Sequence, residues 1–234
     1  MLILAFETSA KAGSVALMEN GQLLAENYQN TGLTHSQTLL SMAEAMLAHS
    51  GKTPQDVGAV AVAAGPGSFT GVRIGVAAAK GFAWGGEVPC YGVSTLEAMA
   101  RSLGIWQGII CCTMDARRSQ VYNALFRAEK GILTRLTEDR AISLEELGNE
   151  LKNFENSVFL VGDGSNLCYN TLGASCGNLI LPREHRLHQR AAGVALAAQA
   201  LIDAGEPGDG ATLEPNYLRL SQAERERLAR EQEK

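Results

Sequence analysis

The sequence predicts an α/β protein of two lobes, because a βββαβα order of strand-like and helix-like segments occurs once in each half. Apolar runs of strand length alternate with segments of helical periodicity, which is typical of helices packed on mixed sheets. Glu7 and Asp115 occupy matching places, each an acid at the end of the first strand of its half. We expect an N-terminal lobe over residues 1–104, a C-terminal lobe over 105–220 and a charged tail over 221–234.

The strands of the first half are indicated by short apolar runs. Residues 2–6 and 14–19 have strand length, and Asn20-Gly21 predicts a tight hairpin turn into a third strand. Residues 57–65, VGAVAVAAG, form a continuous apolar run bounded by glycine, as expected of a strand covered on both faces. Three antiparallel strands therefore open the chain, and a buried strand follows them.

Helix ends are marked by capping residues. Thr34 with Gln37, and Ser143 with Glu146, have the spacing of a capping box, in which a hydroxyl and an acid or amide side chain bind amides at the helix start. Gly51 offers the left-handed conformation that ends a helix. These signals predict one helix after the first three strands of each half.

Composition limits the classes of function. The 234 residues are 46% hydrophobic, with a formal net charge of -5, so the whole molecule has no non-specific electrostatic attraction for nucleic acid. No apolar run approaches the roughly 20 residues of a membrane helix, and we expect a soluble cytoplasmic protein. The five cysteines form no CxxC pair, which favours reduced thiols in a core.

The segment GPGSFTGVRIG, residues 65–75, joins a strand to a helix and could be a phosphate cradle, a nucleophile turn or a close-packed helix. A P-loop requires GK[ST], whereas Val72 and Arg73 follow Gly71 here, and the spacing GxGxxxG is not that of a dinucleotide fingerprint. The nucleophile elbow GxSxG is absent around Ser68. The third interpretation remains.

Gly71, Gly75 and Ala79 share one face of the predicted helix, so another backbone could approach closely. Each glycine within a helix costs about 1 kcal/mol relative to alanine, which indicates a packing reason for keeping it. The approaching element is either the protein's own sheet or first helix, or another subunit, and the sequence leaves both open. A further motif, REHRLHQR at 183–190, is either an exposed basic stretch or an RNA or protein contact.

The segments LILAFETS, THSQTLL, GPGSFTGVRIG, GVSTLEAM, DARRSQVY and EPNYLR, in this order, resemble the bacterial TsaB (YeaZ) family over nearly the whole chain. The resemblance implies a two-lobed actin-like ATPase fold, which is ribonuclease H-like. It also implies a role in forming N6-threonylcarbamoyladenosine in tRNA, as a non-catalytic scaffold that contacts tRNA indirectly. The implied partners are a TsaD-like transferase paralogue, a TsaE-like ATPase and, in their absence, a second copy of the chain.

The same resemblance implies that the helices over 35–49 and 70–84 contact the paralogue. The partner-contacting residues it implies are His35, Leu39, Met42, Met46, Gly71, Arg73, Ile74, Gly75, Ala78, Ala79 and Phe82. TsaD-like proteins bind a metal through two histidines, where this chain has Thr95 and Met99. Neither side chain replaces imidazole on a hard metal ion, so no metal site is expected.

A weak nucleotide site is the remaining implication of the actin-like resemblance. Glu7, Ser9, Ser14 and Asp115 are the candidate residues for binding ATP or ADP, and the loop 161–166 could join them. The alternative is that these are ordinary residues closing hairpin turns. A rival function is therefore a homodimeric actin-like protein with residual nucleotide binding or protease-like activity.

Overall fold

Two mixed β-sheets with the same strand order form the frame of the protein. The computed structural model describes residues 1–105 and 107–219. The first sheet has the order β3-β2-β1-β4-β5 and the second β11-β10-β6-β7-β8, with β9 also paired to β7. The strands of the first sheet are β1 (Leu2–Glu7), β2 (Gly13–Glu19), β3 (Gln22–Gln29), β4 (Val57–Gly65) and β5 (Cys90–Ser94). Those of the second are β6 (Gly108–Asp115), β7 (Gln120–Glu129), β8 (Ile132–Arg135), β9 (Arg140–Ser143), β10 (Val158–Val161) and β11 (Leu179–Ile180).

Six α-helices connect and cover these sheets in the described parts of the chain. They are α1 (His35–His49), α2 (Phe69–Gly86), α3 (Thr95–Leu103), α4 (Leu144–Leu151), α5 (Ser165–Leu172) and α6 (Ala191–Asp203). Short 3-10 helices lie at Pro54–Asp56 and Glu184–Arg186. None of these helices combines the length and the hydropathy that a membrane span requires.

The first three strands form the predicted antiparallel meander. Asn20 and Gly21 have φ angles of 51° and 81°, the left-handed pair that a two-residue hairpin turn requires. Strand β4 then pairs in parallel with β1 on one side and with β5 on the other. Its apolar sequence is buried nearly throughout, which confirms the prediction of a strand covered on both faces.

The helices lie in layers on either side of the first sheet. On one face, α1 and α2 bury Leu39, Met42 and Val76 against strand residues such as Leu4 and Phe6. On the other face, α3 and α6 pack together against β1, β4 and β5. Helix α3 also packs on the second sheet, so it lies between the two sheets. Helices α4 and α5 cover the outer face of the second sheet.

The position of α6 corrects the expected C-terminal lobe of residues 105–220. This helix packs against the first sheet, where Ala191, Val194 and Ala198 are fully buried. Its sequence is rich in alanine, and short side chains allow a helix to lie close to a sheet and to α3. The chain therefore returns to the first lobe after completing the second. The boundary near 104 divides the strands between the two sheets, but α6 lies after it and belongs to the first lobe.

Capping at helix starts follows the predictions only in part. Ser143 and Glu146 form the complete capping box at the start of α4. Thr34 occupies the cap position of α1, but its side chain accepts no hydrogen bond from the helix, so that predicted box is wrong. Ser94 Oγ accepts a bond from the Glu97 amide at 3.2 Å.

The Glu97 carboxylate does not complete a box at the start of α3. It binds Arg101 at 2.8 Å and Arg135 at 3.1 Å instead. The five cysteines are all free and buried, as predicted for a reduced core. Burial raises the pKa of the Cys90 and Cys168 thiols to about 11.

Residues 206–219, which we call the C-terminal strap, run back over the first lobe. Lys80 Nζ on α2 donates hydrogen bonds to the carbonyl groups of Ala211 at 3.2 Å and Leu213 at 3.1 Å. The Asn216 amide donates to the Ala64 carbonyl at 2.6 Å. These contacts fix the strap beside α2.

Candidate functional site

The glycine-rich face of α2 packs on the end of β1 within the same chain. A Cβ atom on Gly71 would lie 2.1 Å from the Thr8 carbonyl oxygen, and one on Gly75 would lie 2.3 Å from Thr8 Oγ1. That hydroxyl donates a hydrogen bond to the Gly71 carbonyl at 2.8 Å. Ala79 on the same face is fully buried. Of the two alternatives left open by the sequence, the approaching backbone is the protein's own sheet.

Several residues expected to contact a partner are thus buried inside the chain, and this corrects their assignment. They are Leu39, Met42, Met46, Gly71, Gly75 and Ala79. The physical reason is that α1 and α2 each pack one face against the first sheet, and that face carries most of their apolar and small residues. A partner in contact with these helices would meet the opposite faces.

Three other expected contact residues lie between the buried and the outer faces. Ile74, Ala78 and Phe82 are half-buried and pack against the core formed by α1, α2 and the sheet. His35 is also half-buried, and its Nε2 atom lies 2.8 Å from the Ala10 carbonyl, so it supports the turn between β1 and β2.

Arg73 is exposed on α2 but is held by two aromatic rings. Its guanidinium lies 3.9 Å from the centre of the Phe69 ring, and its Nε atom donates a hydrogen bond to Tyr217 Oη at 2.8 Å. Phe69 and Tyr217 stack with their ring centres 4.5 Å apart. Arg73 therefore joins α2 to the C-terminal strap.

The outward face of α2 carries a second line of small residues, which we call the outer stripe: Ala77, Gly81 and Gly85. All three are exposed and lie four residues apart, and no atom is within 4 Å of a Cβ built on either glycine. Two large apolar side chains are exposed on the same pair of helices: Leu40 at 58% and Trp84 at 86%. Sequence reasoning missed this stripe because periodicity does not say which small face points inward.

The second candidate site is the inter-lobe cleft, a cavity of about 420 Å³ between the turns of the two sheets. The residues that line it are Ser9, Ala10, Lys11, Gly67, Ser68, Met114, Asp115, Ala116, Arg117, Tyr122, Asp163 and Arg219. They come from the β1–β2 turn, the start of α2, the β6–β7 turn, the loop after β10 and the C-terminal strap. Segments far apart in sequence therefore meet at one place.

The two matching acids make the same local contact. Glu7 Oε1 accepts a hydrogen bond from the Ser9 amide at 2.6 Å, and Asp115 Oδ1 accepts one from the Arg117 amide at 2.7 Å. Each acid thus closes the turn that follows its strand, which favours the interpretation as hairpin-closing residues. Asp115 is exposed and lines the cleft, whereas Glu7 is fully buried and does not line it.

Glu7 is held in an environment that favours its neutral form. Its Oε2 atom has no hydrogen-bond partner among the described residues. Burial raises the pKa of Glu7 from 4.5 to about 7, although the bonds from Ser9 oppose that change. Asp163 opens onto the cleft, and desolvation by the surrounding protein raises its pKa while the hydrogen bond from Gln189 lowers it.

The remaining nucleotide candidates have different positions. Ser9 lines the cleft, and its buried hydroxyl has no partner among the described residues. Ser14 does not line the cleft. Its Oγ atom instead accepts a hydrogen bond from the Ala191 amide at 2.7 Å. Ser14 therefore caps α6 across the interface of β2 and that helix, which corrects its assignment to the nucleotide site.

Two further predicted groups lie elsewhere. Thr95 and Met99 on α3 are fully buried between the sheets. In the basic stretch 183–190, Arg183, His185 and Arg186 are exposed. His188 and Arg190 in that stretch instead lie against acids: His188 against Glu184 at 2.9 Å, and Arg190 against Glu26 at 2.6 Å.

Comparison with known proteins identifies relatives over nearly the full length. Residues 28–227 match the model of a family described as "TsaD: tRNA N6-adenosine threonylcarbamoyltransferase". The chain is 32% identical over 228 residues to the tRNA threonylcarbamoyladenosine biosynthesis protein TsaB of Bacillus subtilis, and the alignment covers 96% of each chain. It is 36% identical over 169 residues to the protein of the same name in Escherichia coli, covering 70% of this chain and 72% of that protein.

Solved structures show the same architecture. YeaZ from Pseudomonas aeruginosa superimposes with a TM-score of 0.75 at 25% sequence identity, covering 93% of this chain and 99% of that chain. The ethanolamine utilization protein EutJ from Carboxydothermus hydrogenoformans gives a TM-score of 0.53 at 15% identity, covering 84% of this chain and 90% of that chain, and indicates the fold alone. The two-lobed actin-like fold expected from the sequence is confirmed.

Proposed function

Because this chain belongs to the TsaB (YeaZ) family, we propose that it takes part in the biosynthesis of threonylcarbamoyladenosine on tRNA as a non-catalytic scaffold. Its partner is a TsaD-like transferase paralogue, which a TsaE-like ATPase assists. The observation that carries this proposal is the outer stripe of α2, a line of small exposed residues beside the exposed side chain of Trp84.

The outer stripe favours contact with a helix of the partner. The axes of packed helices lie about 8–10 Å apart depending on the side chains between them, so small residues permit the closer distances. Trp84, which precedes Gly85 on α2, is a flanking group of this kind, and exposed apolar surface marks interaction sites. Ala78 and Phe82, which are half-buried, gain further burial when a partner covers them.

The same face is suited to self-association when the paralogue is absent. A single face that meets its own copy forms a two-fold dimer without a second surface. We expect this homodimer to compete with the heterodimer, since both bury Ala77 and Gly81.

The non-catalytic role is supported by the buried positions of two residues. Thr95 and Met99, which stand where the paralogue's histidines are expected, are covered by the two sheets and α6. A side chain at either position points into a packed core that a substrate does not reach. The chain therefore contributes a surface to the complex, and the transferase contributes the reaction.

The test measures association with the TsaD-like paralogue by analytical ultracentrifugation. Gly81→Leu adds a bulky side chain to the outer stripe, where the free chain has open space, so the monomer stays folded and heterodimer formation is lost. Asn170→Leu places the same side chain on an exposed position of α5 and serves as the matched control. Unchanged association of Gly81→Leu would refute the assigned interface.

A further inference from the structure

Four segments that carry the family resemblance are not used by the proposed partner surface, and all four meet at the inter-lobe cleft. They are the turn after β1, the start of α2, the DARRSQ turn after β6 and the EPNYLR end of the C-terminal strap. The cleft lies between the lobes, and none of the residues of the outer stripe lines it. A second interaction therefore has its own residues.

The cleft carries cations from three separate elements. Lys11, Arg117 and Arg219 line it, and Arg118 is exposed in the same turn as Arg117. Within residues 1–105 and 107–219, no carboxylate lies within salt-bridge distance of Lys11, Arg117 or Arg118. Arg219 donates a hydrogen bond to the Ala116 carbonyl and so links the strap to this turn.

The DARRSQ turn holds its arginines in an unfavourable backbone conformation. Arg117, Arg118 and Ser119 have φ angles of 66°, 57° and 57°, in the left-handed region that glycine and asparagine tolerate better. Residues kept in strained conformations cluster at functional sites. Because these side chains do not pack in the core, their charge is the property that explains their presence.

Neutral donors add to the cations inside the cleft. The Ser9 hydroxyl is buried and has no partner among the described residues. Next to it begins α2, a helix of 18 residues, and the amides of Phe69 and Thr70 in its first turn have no partner within the helix. A helix start of this kind attracts negatively charged groups.

One aromatic ring lines the cleft, and two others belong to residues within two positions of Ser68 and Arg219, which also line it. Tyr217 is 37% exposed and stacks on Phe69, while Tyr122 lines the cleft wall. Cations combined with exposed aromatic rings are typical of surfaces that bind single-stranded nucleic acid, because every base can stack. Two acids, Asp115 and Asp163, also face the cleft. Asp115 Oδ1 accepts a hydrogen bond from the Arg117 amide, and Asp163 Oδ1 accepts one from Gln189 Nε2.

We propose that the mouth of the inter-lobe cleft binds the phosphate backbone of RNA. The identification of that RNA as tRNA rests on the proposed function, whereas the site itself does not. A strand that crosses the mouth fits better than a nucleotide held deep inside. Arg117 and Arg118 are exposed at the rim, and Ser14, which a deep site would use, is occupied by α6.

The test measures binding of fluorescently labelled unmodified tRNA to the full chain by anisotropy at several potassium chloride concentrations. The variant is Arg117→Asn/Arg118→Asn, since asparagine tolerates the left-handed conformation and removes the charge without disturbing the turn. We expect about tenfold weaker binding, and a salt dependence of log K that is shallower by about 1.5, because two phosphate contacts are lost. Arg117→Lys/Arg118→Lys keeps the charge and retains most of the affinity.

The control variant removes the same number of positive charges from a surface outside the cleft. Arg183→Gln/Arg186→Gln removes two exposed arginines from the basic stretch outside the cleft, and we expect wild-type affinity and salt dependence. An equal loss in this control, or unchanged binding by the asparagine variant, overturns the proposal. Displacement of tRNA by magnesium ATP beyond the effect of matched ionic strength also overturns it, since a nucleotide then occupies the cleft.

Association with the paralogue is measured on the same variants to separate the two proposals. The asparagine variant is expected to form the heterodimer normally while binding tRNA about tenfold more weakly. Gly81→Leu is expected to lose the heterodimer while binding tRNA with wild-type affinity. If the wild-type chain binds tRNA but no paralogue, the scaffold proposal fails and the cleft proposal stands.

Discussion

Gly75 on α2 lies directly against Thr8 at the end of β1, and a Cβ atom at Gly75 would come within 2.3 Å of Thr8 Oγ1. The threonine hydroxyl is fixed by its bond to the Gly71 carbonyl, so it has little freedom to move away. The glycine-rich motif therefore positions α2 on its own sheet. The start of the helix is brought to the cleft, and its outer face is left to solvent.

Alanine at Gly75 should destabilise the fold, whereas alanine at Gly81 should stabilise it. Overpacking against Thr8 costs roughly 1–3 kcal/mol, while an exposed helix glycine without neighbours gains about 0.5–1 kcal/mol on replacement. Urea denaturation of Gly75→Ala and Gly81→Ala measures both changes. Changes of the same sign in the two variants would show that α2 is not oriented as described.

Ser14→Ala should loosen α6 from the first sheet. The substitution leaves the buried Ala191 amide without its acceptor, which costs roughly 1–2 kcal/mol of unfolding free energy. Ser41→Ala, at an exposed position of α1, is the control and should change stability by less than about 0.5 kcal/mol. Equal stability of Ser14→Ala and wild type, measured by denaturation, would contradict the capping role.

Glu7 should make the protein less stable as pH rises through the neutral range. The folded state keeps the Glu7 proton up to a pKa of about 7, whereas the unfolded chain releases it above about 4.5. Stability from this group is therefore complete below pH 4.5 and falls by roughly 3 kcal/mol until pH 7, above which it stays constant. The raised pKa of Asp163 acts in the same direction.

Glu7→Gln, which cannot ionise, should flatten this profile between pH 5 and pH 8. Denaturation at both pH values gives the difference, and Glu44→Gln at an exposed position of α1 should keep the wild-type dependence. A Glu7→Gln variant with an undiminished slope would mean that other groups cause it.

Tyr217→Ala should release the C-terminal strap from α2. The variant loses the stack on Phe69 and the bond from Arg73, together about 1 kcal/mol. Hydrogen exchange at the Asn216 amide, which is bonded to Ala64, should become faster. Tyr217→Phe keeps the stack on Phe69 and should accelerate this exchange less. Equal exchange rates in the two variants would mean that only the hydrogen bond from Arg73 holds the strap.

Local signals in the sequence predicted the frame of the fold. The Asn20-Gly21 turn and the apolar run of β4 depend on backbone conformation and burial within a few residues, and both were predicted correctly. The family motifs also indicated the two lobes. Helix α5 and the short strands β9 and β11 were not predicted, because each has at most eight residues and weak periodicity.

Orientation and long-range contacts could not be predicted in the same way. The stripe of Gly71 and Gly75 and the stripe of Gly81 look alike in sequence, and only the contact with Thr8 decides which one points inward. Ser14 lies 177 positions from Ala191, and no local pattern links a strand hydroxyl to a distant helix start. The residues of α2 that were expected to contact a partner therefore include Gly71, Gly75 and Ala79, which lie on the face that packs on the protein's own sheet.

The return of α6 to the first sheet has a consequence for how the protein is made. During synthesis the N-terminal portion of a chain generally folds first, domain by domain. Here one face of the first sheet, which includes Ile3 and Ala59, is covered only in part by α3 until Ala191 and Val194 have left the ribosome. The nascent chain thus carries a partly exposed apolar sheet through most of translation, and residues 1–104 expressed alone would be expected to aggregate.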